Sequence, residues 1–583
     1  MKHTLLFILT LILVPLFLGA CSGIRGQTFR IDEQMFLTSP DGSSDYTLIH
    51  GENAEQWELD AAAEFRERFE KLTGCSLKIT GDYIQAGIHP RFGSEIRIGK
   101  TNRDAEDLRI ARHSLRKGGY IVRAASGEIV IDACDAEGMQ NALDFFFDSV
   151  NETKMKNRSV YSIPLFLRQI CLRHNAHAEK DVYKPVNYAD MKGIWLSQFD
   201  MADVYSDGTR QRPEAEYRTL LRSMLNRISD MGFNTVFVQV RPYADSIYPS
   251  ALYPPSACAV GSYGNAVEYD PFAILIEMAH EKKLSVHAWI NPLRCMTEKE
   301  IGSITSEYAI GRWYRDIRKN GTYLVVCNQR YYLNPAYSQV RDLIIAGVVE
   351  IVSTYPVDGI HMDDYFYPTT DEAFDRSAYA AYKRQNEPIS LGDFRREQIN
   401  RLVAGLYRAI KSVSNEVLFG ISPAGSAEDT YQNLYADVYA WCSQSGYVDY
   451  ICPQIYWGME HQTCDFRSVC RKWQDMLQCD SVRLIIGMTL TKAVSGTDSY
   501  AGSGRNEWSL RKDIIRRCIE YTGTLSSCSG IALFSYSCCY DVLTGEERSE
   551  SAEERAGFVP LLKVYSWKNA KSEIPVSSSG TRD

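Results

Sequence analysis

From residue 190 onward the chain repeats one pattern eight times, a short apolar run of strand length followed by a longer stretch with helical periodicity. The runs are Lys192 to Leu196, Thr235 to Val240, Ser285 to Ile290, Gly359 to Asp363, Val417 to Ile421, Asp449 to Ile455, Leu484 to Met488 and Gly530 to Phe534. Continuous apolar strands alternating with helices indicate parallel strands covered on both faces. Eight such units predict an α/β fold of the (β/α)8 TIM-barrel type over residues 190–540.

In a barrel of this kind the chemistry gathers where the strands end, and the strand starts serve stability. The ends here carry Ser197 and Asp200, then Gln239 and Arg241, then His287, Asn291 and Arg294, then Asp363 to Tyr367. Ser422, Gln454 with Tyr456 and Trp457, Thr489 and Tyr536 follow on the later strands. The fourth run is the most informative, because it closes on two adjacent carboxylates, Asp363 and Asp364, followed by Tyr365, Phe366 and Tyr367. Two ionisable groups at a strand end cost free energy unless paired or set in a cleft, so they point to chemistry; the plain alternative is a helix cap or loop pair.

Cleavage of a glycosidic bond normally takes two carboxyl groups. Val357-Asp358-x-Ile360 and Val448-Asp449-x-Ile451 align, which puts Gln454 in the register of Asp363 and Tyr456 in that of Tyr365. The sixth strand therefore offers an amide, and the seventh, "RLIIGMTL", offers no acid. Two catalytic arrangements stay open. Either Asp363 and Asp364 act together, or one of them recruits a loop acid from among Asp200, Asp245, Glu428 and Asp429. Adjacent residues of a regular strand face opposite ways, so the first option requires the strand to end or bend at Asp363. A binding protein without catalysis is the third reading.

Around the pair, Arg241, His287, Asn291 and Arg294 are candidates for binding hydroxyl, acetamido or carboxylate groups, with Asp200, Gln239, Ser422 and Gln454 beside them. An ion pair with the aspartates is the alternative for Arg241. Tyr365, Tyr367, Tyr456, Trp457 and Tyr536 are candidate sugar platforms, in a chain with 36 Tyr and 9 Trp. His361 lies mid-strand and reads as a hydrogen-bonded core histidine. No His/Cys/Asp/Glu cluster has metal-ligand spacing, so no cofactor is expected.

Residues 45–166 read as a small α/β sandwich-like domain. Strands are expected at Tyr46 to Ile49, Glu95 to Gly99, Gly119 to Val122 and Glu128 to Ile131. Helices are expected from Glu55 to Leu72, with Ala61, Ala62, Phe65, Phe69 and Leu72 on one face and Gly74 as stop, and from Glu137 to Val150. Before it, residues 1–20 read as a signal peptide: Lys2 and His3, an apolar run from Leu5 to Leu18, then Leu18-Gly19-Ala20-Cys21. This resembles a bacterial lipoprotein signal, which implies lipid attachment at Cys21, an extracytoplasmic, membrane-anchored protein, and a polar linker from Ser22 to Ser44. The 16 cysteines read mainly as small core residues, Cys134, Cys452, Cys518, Cys538 and Cys539 among them, with an occasional disulfide open to an exported chain. A net charge of -9 without a basic stripe argues against nucleic acid as partner. Residues 541–583 read as a C-terminal segment: Glu546 to Arg555 and Phe558 to Tyr565 suit the last barrel helix region, and the Ser-rich end from Ser577 reads as disordered.

The segments "MKGIWLS", "NTVFVQVRPYADSIYPS", "HAWINPLR", "LNPAYSQVRD", "YPVDGIHMDDYFYP", "FGISPAG" and "VDYICPQIYWG" resemble, in order, the motifs of the glycosyl hydrolase-like 10 family. The resemblance implies a barrel glycosidase, and some members are understood to cleave peptidoglycan glycan strands. "GENAEQWELDAAAEFRERFEKLTG" and "GGYIVRAASGEIVIDACDAEGMQNALDFF" resemble the noncatalytic domain that precedes the barrel in hexosaminidases and glucuronidases. By the same resemblance, a tandem acid pair implies substrate-assisted cleavage, in which the 2-acetamido oxygen attacks the anomeric carbon, one carboxylate orients the amide and its neighbour protonates the leaving oxygen. The expectation is a lipid-anchored glycoside hydrolase for an N-acetylhexosamine-containing glycan, peptidoglycan first. A glycosidase for dietary or host polysaccharides and a noncatalytic glycan-binding lipoprotein are the alternatives.

Overall fold

The computed structural model describes residues 24–82, 94–172 and 190–567, apart from short stretches between 105 and 116 and at 126–127 and 156–157. The expected signal peptide, Cys21 and the Ser-rich end lie outside the described residues.

The N-terminal unit is one sheet of eight strands: β1 (Ile24–Phe36), β2 (Tyr46–His50), β3 (Lys78–Gly81), β4 (Ser94–Ile98), β5 (Tyr120–Ala125), β6 (Glu128–Ala133), β7 (Asn151–Met155) and β8 (Arg158–Leu172). Their order is β1-β8-β5-β6-β4-β2-β3, with β7 on β8. The helix Gln56–Thr73 starts at a capping box made by Glu55 and Glu58 and stops at Gly74, whose φ of 77° is the left-handed conformation that glycine adopts freely. Its Phe65 meets Phe146 of the helix Ala136–Asp148 at 5.0 Å, and both helices share one apolar core with β2, β4, β5 and β6. Leu72, expected on that apolar face, is exposed. The segment expected as a linker is also different. β1 occupies most of it and pairs antiparallel with β8, from Ile24↔Leu172 to Phe36↔Ser162, with a bulge between Ile31 and Gln34. An edge strand with polar residues interleaved lacks the apolar run that marks a covered strand.

Parallel strands β9 (Met191–Leu196), β10 (Thr235–Arg241) and β11 (Ser285–Ile290) begin the second unit. A small antiparallel sheet follows within its third βα connection: β12 (Arg294–Thr297), β13 (Leu324–Cys327) and β14 (Arg330–Leu333). Then come β15 (Gly359–Met362), β16 (Leu418–Ile421), β17 (Tyr450–Ile451), β18 (Arg483–Thr489) and β19 (Cys528–Phe534), and β19 pairs with β9 to close an eight-stranded parallel barrel. All eight expected strands are present, the sixth shorter than expected. The helix Ala552–Val564 follows on the outside, where the carbonyl of Leu562 accepts from Lys192 Nζ at 2.8 Å.

Large side chains fill the barrel interior, and glycines on neighbouring strands make room for them. A Cβ at Gly359 would stand 2.4 Å from the His287 ring, and one at Gly420 would stand 2.0 Å from the Tyr450 ring. The polar atoms in this core satisfy one another. Trp195 Nε1–H donates to His361 Nε2 at 3.2 Å, so His361 carries its proton on Nδ1 and donates it to Tyr450 Oη at 2.9 Å. The Tyr450 hydroxyl then donates to His287 Nδ1, also at 2.9 Å. Burial holds both rings neutral, pushing His287 down to about 3 and His361 well below the usual histidine range. Cys452, Cys518, Cys538 and Cys539 are buried, as expected of small core residues, whereas Cys134 is exposed.

Candidate active site

β15 ends at Met362, so Asp363 and Asp364 both lie beyond the last ladder residue and escape the alternation that would send them to opposite faces. The chain turns there: the Tyr365 N–H donates to Asp363 Oδ1 at 3.2 Å, and the Phe366 N–H donates to the Asp364 carbonyl at 2.9 Å. Asp363 is buried, and its Oδ2 accepts from Trp289 Nε1 at 3.1 Å and from Asn291 Nδ2 at 2.7 Å. Asp364 is half-buried. The amide of Gln454, at the end of the sixth strand, hydrogen-bonds its carboxylate, and Arg294 supplies a positive field. Burial raises both carboxyls above the ordinary aspartate range. The Asp364 charge raises Asp363 further, to about 8. Two such carboxyls cannot both ionise cheaply, so the pair titrates as a unit and retains a proton near neutral pH.

Several expected residues meet at this pair. Gln239 Nε2 donates to Asn291 Oδ1 at 2.7 Å. Gln454 is fixed by donation to the Ser422 carbonyl at 3.1 Å, and the Ser422 N–H donates to the Met362 carbonyl, so Ser422 contributes backbone, with its side chain fully buried. Tyr456 is half-buried beside Phe534, and its hydroxyl titration feels both Asp363 and Asp364. Trp457 is half-buried against His461, and Tyr365 is 45% exposed. The Arg294 guanidinium lies 4.1 Å over the Tyr365 ring and 5.1 Å over the Tyr243 ring. Arg330 stacks on Tyr243 at 4.2 Å.

Other expected residues are elsewhere. Arg241 is buried over Tyr253 at 4.5 Å and packs against Gly347 of the helix Ser338–Thr354, outside the barrel. A register shift between Gln239 and Arg241 turns it away from the mouth and rules out the ion pair with the aspartates. His287 sits one layer below the mouth in the core network described above. Tyr367 is buried among Phe374, Tyr435 and Arg395, because the turn after Asp364 leads the chain down onto the helices. Tyr536 is buried against Tyr540 and hydrogen-bonds Arg227.

The loop acids are engaged as well. Asp200 is fully buried: its Oδ2 accepts from the Ser197 N–H and hydroxyl, and its Oδ1 accepts from the Ser535 hydroxyl at 2.9 Å and the Ser537 N–H at 2.8 Å. It ties the first strand's loop to the eighth's. Asp245, also fully buried, accepts from the Tyr243 N–H and the Tyr263 hydroxyl, each at 2.9 Å. Glu428 and Asp429 bond Gln432, Tyr439 and Asn433 around their own short helix. Among the described residues, Asp363 and Asp364 are the neighbouring strand-end carboxyls that combine burial with a strong influence on each other's charge. Sequence reasoning missed Trp289, Tyr243 and Arg330. Trp289 was accessible to it, standing two residues after His287 and hence on the same face of β11.

A parallel barrel whose mouth presents a buried acid pair between amide donors and half-open aromatic rings is of the glycosidase type. The chain belongs to the glycosyl hydrolase-like 10 family, whose model matches residues 190–500. It is 33% identical over 328 residues to Glycosyl hydrolase YngK of Bacillus subtilis, covering 53% of this chain and 62% of that one, and so spans less than two thirds of that relative. To Glycosyl hydrolase DigH of Escherichia coli it is 32% identical over 369 residues, covering 58% of this chain and 82% of that one. Among solved structures, a GH20 exo-beta-N-acetylglucosaminidase from Vibrio harveyi aligns with a TM-score of 0.36 at 10% identity, over 94% of this chain and 77% of that one. The PgaB (BpsB) glycoside hydrolase domain from Bordetella bronchiseptica aligns with a TM-score of 0.41 at 13% identity, over 65% of this chain and 100% of that one.

Proposed function

We propose that this protein hydrolyses glycosidic bonds in an N-acetylhexosamine-containing glycan, peptidoglycan glycan strands first, while anchored at a bacterial membrane by a lipid on Cys21. The observation that carries the proposal is the Asp363–Asp364 pair, buried enough to share a proton and placed where the barrel mouth opens.

A substrate-assisted route suits a site whose two acids are adjacent, because acids flanking a scissile bond stand about 5 Å apart or more. Asp363, held by three N–H donors, orients the substrate's acetamido N–H, so that the acetamido oxygen attacks the anomeric carbon. In the reactive form the pair's one proton lies on Asp364, which gives it to the departing glycosidic oxygen, and water later opens the resulting ring and returns that proton. Tyr456 and Gln454 border the same space, and Tyr365 and Trp457 offer faces to the sugars.

The test is hydrolysis of purified glycan strands, followed by reducing-end release, for the parent and the Asp363→Asn and Asp364→Asn variants. Release by the parent and its collapse in both folded variants are expected. Saturable glycan binding without release would favour the noncatalytic reading, which the amide at Gln454 in place of a second flanking acid keeps open.

A further inference from the structure

A chain of amides runs behind Asp363, and one end fixes its direction. The backbone N–H of Gln198 can only donate, and it donates to Gln239 Oε1 at 2.8 Å. The other end of that side chain, Nε2, therefore faces Asn291 and needs an acceptor, which is Asn291 Oδ1 at 2.7 Å. Asn291 is left with its Nδ2 toward Asp363 Oδ2 at 2.7 Å. Gln239 is 4% exposed and Asn291 2%, so water does not offer either amide an alternative partner. The indole N–H of Trp289 lands on the same oxygen and is likewise incapable of reversal.

We propose that Gln239 is a positioning residue for the acid pair: by locking Asn291 in its donor orientation it favours the ionised form of Asp363, the form in which the pair's proton is on Asp364. The consequence is chemical, not merely architectural. Were Asn291 to rotate by half a turn, its oxygen would face an oxygen of Asp363, and the buried carboxyl would hold the pair's proton more tightly, away from the leaving group. Gln239 thereby acts on one of two chemically identical neighbours. The other groups acting on the pair are Arg294 from the loop after β11, Tyr365 on the pair's own segment, and Gln454 and Tyr456 after β17. None of them is changed by a substitution at residue 239.

Two variants probe the relay. Gln239→Glu keeps the shape and the bond to the Gln198 N–H but presents an acceptor to Asn291, reversing the direction. Gln239→Leu removes the bond to Asn291. Thermal melting establishes that each is folded. The titration of Asp363, followed by carbon NMR of aspartate-labelled protein and assigned with Asp363→Asn, is expected to move to higher pH in both variants, further in Gln239→Glu. For activity, which rests on the glycosidase reading above, kcat should fall about tenfold to a hundredfold with KM little changed, and the acidic limb of the pH profile should move to higher pH. Unchanged Asp363 titration in both folded variants overturns the relay. A parent without hydrolysis overturns the glycosidase reading instead, and the titration still decides the relay.

Discussion

Asn291 Nδ2 donates to Oδ2 of Asp363 across 2.7 Å, from the end of the third strand to the end of the fourth. That bond joins the two loops that frame the barrel mouth and sets one carboxyl of the pair apart from the other. It makes the two aspartates unequal: Asp363 is held and buried, and Asp364 is half-buried.

Removing either carboxyl should therefore remove most turnover. In the proposed mechanism Asp364→Asn deletes the proton donor and should lower kcat by about 100-fold or more, and Asp363→Asn deletes the group that orients the acetamide, with a loss of similar order. Both should retain the parent's circular dichroism. Initial rates on an N-acetylated glycan check this.

The raised titration of Asp363 also has a stability signature. Its folded pKa, about 8, lies above the unfolded value, so the native state binds more protons between pH 4 and pH 8, and stability falls as pH rises across that window. Burial raises Asp245 and Asp364 in the same direction. Melting curves from pH 4 to pH 8 should show a declining Tm, and Asp363→Asn should flatten part of the decline because its amide does not titrate.

Arg294 lowers the pKa of Asp364 by its positive charge. In Arg294→Ala that support is gone, the Asp364 carboxyl should hold its proton to higher pH, and the basic limb of the kcat/KM profile should move upward. Loss of the stack on Tyr365 should raise KM as well. A pH series on the variant measures both.

Asp200 should behave in the opposite way from the pair. Its carboxylate accepts four hydrogen bonds that close the first and eighth strand loops on each other, so Asp200→Ala should destabilise the fold by about 3 kcal/mol through unsatisfied buried donors. Denaturant titration reads this loss, whereas Asp364→Asn should show no comparable one.

The residues that could be read from the sequence share a physical reason. Barrel strands are covered on both faces and so appear as uninterrupted apolar runs, which is why all eight were visible. The parallel between Val357-Asp358 and Val448-Asp449 was equally real. Asp358 accepts from the Val286 N–H and Asp449 from the Phe419 N–H, each at 2.7 Å, so each carboxylate secures the strand before it. Side-chain direction at strand ends was less visible. Arg241 is two residues beyond Gln239 and should share its face, but the bulge between them turns it outward. Tyr367 follows Tyr365 by two and is carried into the core by the turn at Asp364. Asp200 looked like a free loop acid because its partners, Ser535 and Ser537, are more than three hundred residues away in sequence.

The most direct measurement compares hydrolysis of one glycan in its N-acetylated and chemically N-deacetylated forms by the purified protein, with products identified by mass spectrometry. Cleavage of the acetylated chain, with loss of activity on the deacetylated one, is the predicted result, because in the proposed mechanism the acetamido oxygen is the nucleophile. Equal cleavage of the two would contradict a mechanism in which Asp363 and Asp364 work through the substrate's own acetamido group.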